Sequence, residues 1–217
     1  MSILITGASR GLGRAMFDLF SGSGKPVIGA ARNPPDGPDW HAMDVSDPKS
    51  IRALAGHLTA VPIELLICNA GIFPDKGQLL DTGFPPAMWD TVFRTNVTGT
   101  FLTVQALLPN LRAAHRPRIA LLASRLGSSE LASGDRYIYR ASKAAVINLG
   151  RNLAVDLRGD GIAVGIYHPG WVRTDMGGPS GDIDVETSVK GLATRFEELG
   201  PKTSGRFQNW DGQTLPF

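Results

Sequence analysis

The chain has 217 residues, 42% of them hydrophobic and 19% charged, the balance of a soluble globular protein that buries one substantial core as a single domain over residues 1–217. A formal net charge of +2 with both signs interspersed excludes the basic field that would hold nucleic acid or an anionic membrane surface. No run approaches the roughly 18 apolar residues of a membrane span, and a single cysteine allows no internal disulfide, so a cytoplasmic location is expected.

Met1-Ser2-Ile3-Leu4-Ile5 lacks a basic leader and runs straight into a glycine turn, so Ile3 to Thr6 reads as a strand rather than a signal peptide. The turn is Thr6-Gly7-Ala8-Ser9-Arg10-Gly11-Leu12-Gly13, and Arg14 to Phe20 carries helical periodicity behind it. Glycines let such a turn bend and let its backbone approach a pyrophosphate, whose charge is drawn to the free N–H groups at the helix start. Pro26 to Ala30 is a second apolar run. Asp47-Pro48 reads as an N-cap and first-turn proline ahead of Ile51, Leu54, Ala55 and Leu58. Ile63 to Cys68 is the next strand, and its cysteine reads as a core thiol because no histidine or asparagine motif surrounds it.

A long helical stretch from Pro86 to Arg112 divides into two helices, and the basic cluster Arg112 to Arg118 reads as a solvated loop. Arg118 to Ser124 and Ile162 to His168 are further strands, with a helix from about Arg136 to Leu157 between them. From Thr174 to Lys190 the glycines, Pro179 and Ser180 suggest a movable lid. His41, His57, His115 and His168 fall into no metal-binding spacing, and no metal is expected. Strands alternating with helices imply a parallel sheet in a three-layer α/β sandwich, which binds ligands beyond the carboxyl ends of its strands. Thr6-Gly7, Asn69-Ala70-Gly71, Ser124 and Pro169-Gly170 all follow strands, so the fold gathers them on one edge.

Tyr139-Arg140-Ala141-Ser142-Lys143 puts a phenol and an ammonium group one helical turn apart. Taken with the glycine turn, Asn69-Ala70-Gly71 and Asn96-Val97-Thr98-Gly99, it resembles the short-chain dehydrogenase/reductase family along nearly the whole chain. The resemblance implies a Rossmann-type doubly wound sheet and a nicotinamide cofactor. Gly7, Ser9, Arg10, Gly11, Leu12 and Gly13 would cradle its pyrophosphate side. Asp44 and Val45 would lie at the adenine after the third strand, and Asn69, Ala70 and Gly71 at the adenosine side. Tyr139 and Lys143 would lie at the nicotinamide ribose, with Pro169, Gly170, Val172 and Thr174 in a segment closing over the nicotinamide.

The same resemblance implies four catalytic residues. Tyr139 would protonate the carbonyl oxygen, Lys143 would favour its phenolate, Ser124 would bond the developing oxyanion, and Asn96 would hold a water linking Lys143 to solvent. Ser124 stands farther before Tyr139 than in many family members, which leaves Ser128 and Ser129 as rivals; Ser124 is preferred because it ends a strand. His168-Pro169-Gly170-Trp171-Val172-Arg173-Thr174-Asp175-Met176 and the tail motif Gly205-Arg206-Phe207-x-x-Trp210-Asp211-Gly212 are similar to the C-factor and sniffer-like branch of carbonyl reductases.

NAD-selective relatives end the second strand with a carboxylate against the ribose 2′-OH. Here Ala30-Ala31-Arg32-Asn33 has none, and Arg32 with Arg10 reads as a site for the 2′-phosphate of NADP(H). The expected function is NADPH-dependent reduction of a ketone, aldehyde or quinone, with a small-molecule carbonyl substrate as partner. The alternative is an NADP(H)-bound signalling or sensor protein with little turnover, against which the intact Asn96, Ser124, Tyr139 and Lys143 argue. A homodimer is expected through the helices near Asn96 and Tyr139. Trp210, Leu215 and Phe217 are too apolar for a free end and should pack on the sheet edge or against a partner.

Overall fold

In the computed structural model, which describes residues 2–217, the apolar runs form one sheet of seven strands. They are β1 (Ser2–Thr6), β2 (Val27–Ala31), β3 (Trp40–Ala42), β4 (Ile63–Cys68), β5 (Arg118–Leu122), β6 (Ala163–His168) and β7 (Phe207–Asn209). The order is β3-β2-β1-β4-β5-β6-β7 and every pairing is parallel. Parallel strands covered on both faces read as continuous apolar runs, which is why β1, β4, β5 and β6 were legible.

Successive side chains point to opposite faces, so each central strand feeds two cores. Leu4, Leu66, Ile119 and Val164 face a layer holding α2 (Pro48–His57), α4 (Gly99–Arg112) and α5 (Tyr137–Asp156). Ile3, Ile5, Leu65, Ile67 and Ala120 face α1 (Gly11–Gly22) and α6 (Val185–Glu198) on the other side. The expected doubly wound αβα sandwich is what forms.

Of four local expectations, those for the stretch Pro86 to Arg112 and for the tail hold, and those for the lid region and Arg118 need correction. The stretch Pro86 to Arg112 is two α-helices, α3 (Pro86–Phe93) and α4, joined through a π-helical turn at Arg94–Thr98. The region assigned to a lid is a loop only as far as Asp184. There the Asp184 carboxylate caps α6 by accepting from Thr187 N at 2.7 Å, and Val189, Leu192 and Phe196 bury the helix. Arg118 leaves the solvated cluster: it is 2% exposed on β5, and its Nη1 donates to the Phe196 carbonyl at 2.8 Å. The tail packs on its own sheet, with β7 pairing β6 and Leu215 N donating to the Phe207 carbonyl at 2.9 Å.

Candidate active site

The connections from β1 and β4 leave to opposite sides of neighbouring strands, and a crevice opens beyond their carboxyl ends. Gly7 (φ +66°) and Gly11 (φ +56°) hold left-handed backbone there, and a Cβ on Gly13 would lie 2.2 Å from the Gly7 carbonyl oxygen. The turn therefore closes only with these glycines. It delivers the chain into α1, whose N-cap Arg10 makes no side-chain cap bond. The first N–H groups of α1 thus meet the crevice without a local acceptor, and a Cβ at Gly11 would find nothing within 4 Å. That open, donor-rich cradle fits a pyrophosphate.

Asn69 fastens the crevice from below, its Nδ2 donating to the Thr6 carbonyl at 2.9 Å and the Gly7 carbonyl at 3.2 Å. Thr6 Oγ1 in turn accepts from Asn69 N and Ala70 N, both at 3.1 Å. The cleft so formed has a volume of about 450 Å³. Gly7, Ser9, Arg10, Gly11, Leu12, Gly13, Arg32, Asp44, Val45, Asn69, Ala70, Gly71, Tyr139, Lys143, Pro169 and Thr174 line it, together with Asn33, Ser46, Thr91 and Thr95, which the motifs did not single out. Asp44 accepts from Ser46 N at 2.8 Å and Ser46 Oγ at 2.7 Å. Burial pushes its carboxyl up, but the two Ser46 bonds and the Arg32 charge outweigh burial and leave it below the ordinary carboxylate value. Arg10 reaches across the cleft mouth to Asp175 at 3.1 Å.

A second cavity of about 300 Å³ adjoins the first, lined by Ser124, Gly170 and Val172. Tyr139 lines both. Asn96 lines neither: it is 1% exposed in the π turn, where its side chain accepts from Ile72 N at 2.9 Å and donates to the Ile72 carbonyl at 3.0 Å and Ser142 Oγ at 3.1 Å. Its side chain therefore knits the loop after β4 to α5, and π turns recur where a helix must aim a functional group. Ser124 contacts the Tyr139 phenol, and its Oγ also accepts from Leu126 N at 3.2 Å. Ser128, by contrast, turns its hydroxyl to Leu131 N at 3.3 Å, and neither Ser128 nor Ser129 lines either of these two cavities.

Burial acts on the Tyr139–Lys143 pair in opposite senses. It pushes the Tyr139 phenol up to about 12, against the pull of the Ser124 hydrogen bond and with a further rise from the Asp75 carboxylate. It pushes the Lys143 ammonium down to about 8. Desolvation disfavours whichever form is charged, so the Tyr139 phenol stands raised where a lowering by Lys143 was expected. The consequence is a protonated phenol beside an ammonium at neutral pH. Lys143 Nζ donates to the Leu122 carbonyl at 2.7 Å and lies 5.7 Å from the Tyr139 ring centroid. His168 is pushed down to about 3 by burial and by the Arg125 and Lys143 charges, so it enters the second cavity neutral. Cys68 is buried, and its thiol is pushed up to about 12, which suits a core residue.

Two site residues escaped the motifs. Asp75 is wholly buried, and its Oδ2 accepts from Ile138 N at 2.9 Å and Tyr139 N at 3.1 Å, capping α5 from the loop after β4. Phe73 stacks on the Tyr139 ring with centroids 3.9 Å apart. Neither carries a local signal, because both act on residues far along the chain.

A doubly wound parallel sheet with a glycine-turn cradle at its switch point, opening onto a buried phenol–ammonium pair, defines a nucleotide-dependent α/β enzyme. A sequence profile described as short chain dehydrogenase matches residues 1–183, and the chain belongs to that family of oxidoreductases. The protein is 36% identical to the C-signal of Myxococcus xanthus over 77% of this chain and 100% of that one. It is similar to the NADPH-bound carbonyl reductase from chicken fatty liver, with 31% identity, a TM-score of 0.91, and coverage of 100% of this chain and 98% of that one. It is likewise similar to the carbonyl reductase Sniffer of D. melanogaster, with 30% identity, a TM-score of 0.91 and coverage of 100% and 99%.

Proposed function

We propose that the protein reduces the carbonyl group of a small aldehyde, ketone or quinone with NADPH. The observation that carries this reading is the meeting of the two cavities at Tyr139, one lined by the glycine turn and Arg32 and the other open beside Ser124. The glycine cradle and the first turn of α1 would hold the pyrophosphate, and Arg10 and Arg32 the 2′-phosphate. Lys143 would bond the nicotinamide ribose. The likeness to an NADPH-bound carbonyl reductase supports the same choice of cofactor.

The residues lining the larger cleft would hold NADPH, whose chemistry there would be the supply of a hydride to the carbonyl carbon. The carbonyl oxygen takes the Tyr139 proton, so that C=O becomes CH–OH. Ser124 donates to the oxygen as charge builds on it. The Lys143 ammonium stabilises the phenolate left behind until solvent returns a proton. Asn96 positions these groups by fastening Ser142, the residue beside Lys143, to Ile72.

NADPH oxidation against a panel of aldehydes, ketones and quinones tests the reading. Tyr139→Phe keeps the ring but has no proton to give, and is expected to cost about 10²- to 10⁴-fold in kcat with NADPH binding nearly unchanged. A variant that keeps more than about a tenth of the wild-type rate refutes Tyr139 as the acid. The likeness to the C-signal supports a second reading, a nucleotide-bound signalling protein. Binding of NADPH with no turnover on any carbonyl class selects it.

A further inference from the structure

The smaller cavity has a chemical bias that the reductase reading leaves unused. Phe73, Trp171 and Met176 give it apolar walls, while Lys76, Arg125 and Arg136 also line it and no carboxylate does. Phe73 ties two of these cations to the reacting centre. Its ring stacks on Tyr139 at 3.9 Å, and the Lys76 Nζ and the Arg136 guanidinium carbon lie 4.9 Å and 5.9 Å from its centroid.

The positive charge at this mouth is poorly cancelled. Lys76 donates to the Met176 carbonyl, a neutral acceptor. Arg136 meets only Asp135, at 3.5 Å, with the two side chains 41% and 54% exposed, a pairing that water weakens. Arg125 directly follows Ser124, is exposed, and forms no ion pair among the described residues. Of the nearby carboxylates, Asp75 gives one oxygen to the first N–H groups of α5 and keeps the other buried without a partner, outside the cavity lining, and Asp175 meets Arg10.

Resting on the reductase reading, we infer that the substrate is an aldehyde or ketone on an apolar, ring-sized body that carries a carboxylate. The carboxylate meets Lys76, Arg125 and Arg136 while the carbonyl oxygen meets Tyr139 and Ser124. Arginine suits this task because its planar fork matches a carboxylate with two parallel hydrogen bonds. A neutral carbonyl compound of the same shape fills the same walls and leaves the cations without a partner.

The test compares NADPH-dependent reduction of para-formylbenzoate with that of its methyl ester. The ester withdraws electrons more strongly and makes the aldehyde intrinsically more reactive, so a preference for the acid cannot arise from electronics. We expect kcat/KM for the acid to exceed that for the ester by about tenfold or more, as charge-assisted contacts at a partly desolvated mouth allow. The ratio should fall severalfold in Arg125→Gln and again when Lys76→Gln is added. It should also fall when ionic strength rises from about 0.01 M to about 1 M, which shortens the screening length from about 30 Å to about 3 Å. A ratio near one, or one indifferent to both the substitutions and salt, overturns the inference and leaves the reductase reading standing. Binding of NADPH with reduction of neither aldehyde, nor of any panel carbonyl, overturns both.

Discussion

Arg32 and Lys143 each carry a consequence that one substitution can expose. Arg32 lines the dinucleotide cleft at the end of β2 where no carboxylate stands, and Arg10, which also lines it, is shared with Asp175. A charge-assisted bond to phosphate is worth roughly 1.5–3 kcal/mol, so Arg32→Asp should weaken NADPH binding by well over tenfold and spare NADH. Calorimetry with both cofactors decides it: equal loss for the two would make Arg32 a structural residue. Lys143 is held down to about 8 from 10.5 by burial. Between those values the unfolded chain binds more protons than the folded one, so the contribution of this group to stability rises with pH. Below about pH 8 its full burial cost stands, roughly 3 kcal/mol at about 1.4 kcal/mol per unit. Urea denaturation of Lys143→Met and of the wild type should show the variant losing relative stability by up to that amount from about pH 7 to about pH 10.5. Cys68 titrates in the opposite sense at alkaline pH and is common to both proteins, so it drops out of the comparison.

Among the elements, α5 is the one whose placement decides the chemistry. It begins after Asp135 (φ 62°) and Arg136 (φ 52°), both left-handed, and Arg136 supplies no side-chain cap. Its first N–H groups are satisfied instead by Asp75, so the loop after β4 sets the start of the helix that carries Tyr139 and Lys143. Asp75→Ala removes a cap worth about 1 kcal/mol and strands two buried donors, and a total loss of about 2–3 kcal/mol is expected, with a lower kcat. Asp75→Asn keeps an acceptor oxygen and should recover most of the stability. Chemical denaturation and steady-state rates of the two variants check this, and an alanine variant as stable as wild type refutes the capping role. On the facing side, Gly99 opens α4 against the loop after β3, where a Cβ would approach the Val45 carbonyl oxygen to 2.3 Å. The π turn of Asn96 is thus pinned between the adenosine side of the cleft and α5.

For the whole molecule, the tail closes the sheet. Phe207 on β7 is fully buried, and the Trp210 ring lies where a Cβ on Gly170 or Gly191 would stand, 2.9 Å and 2.6 Å away. The last strand therefore backs the segment that follows β6, beside the second cavity. Phe207→Ala should cost about 3–5 kcal/mol, as for other large core truncations, and urea unfolding measures it. Phe101 on α4 and Val155 on α5 remain 37% and 63% exposed. The expected solution state is a homodimer that pairs these helices, and sedimentation at the monomer mass of 23.1 kDa refutes it.

Much of this architecture is legible in the sequence. Runs such as Ile63 to Cys68 are apolar throughout because a parallel strand is covered on both faces, and Gly7, Gly11 and Gly13 mark backbone that only glycine tolerates. The short strands β3 and β7 were not legible, because each has only three residues and takes its form from a neighbour's open edge rather than from its own pattern. Helix α6 did have a signal, Asp184 ahead of Val185, Val189, Leu192 and Phe196, hidden by the glycine-rich loop before it. Local sequence determined the fold class, the cradle and the spacing of Tyr139 and Lys143, since these depend on backbone freedom and helical period. Only the tertiary structure decided that Ser124 and not Ser128 lines the smaller cavity with Tyr139, that Asp75 caps α5, and that Lys76, Arg125 and Arg136 line that same cavity. Those relations join residues from separate loops, and nothing along the chain measures the distance between them.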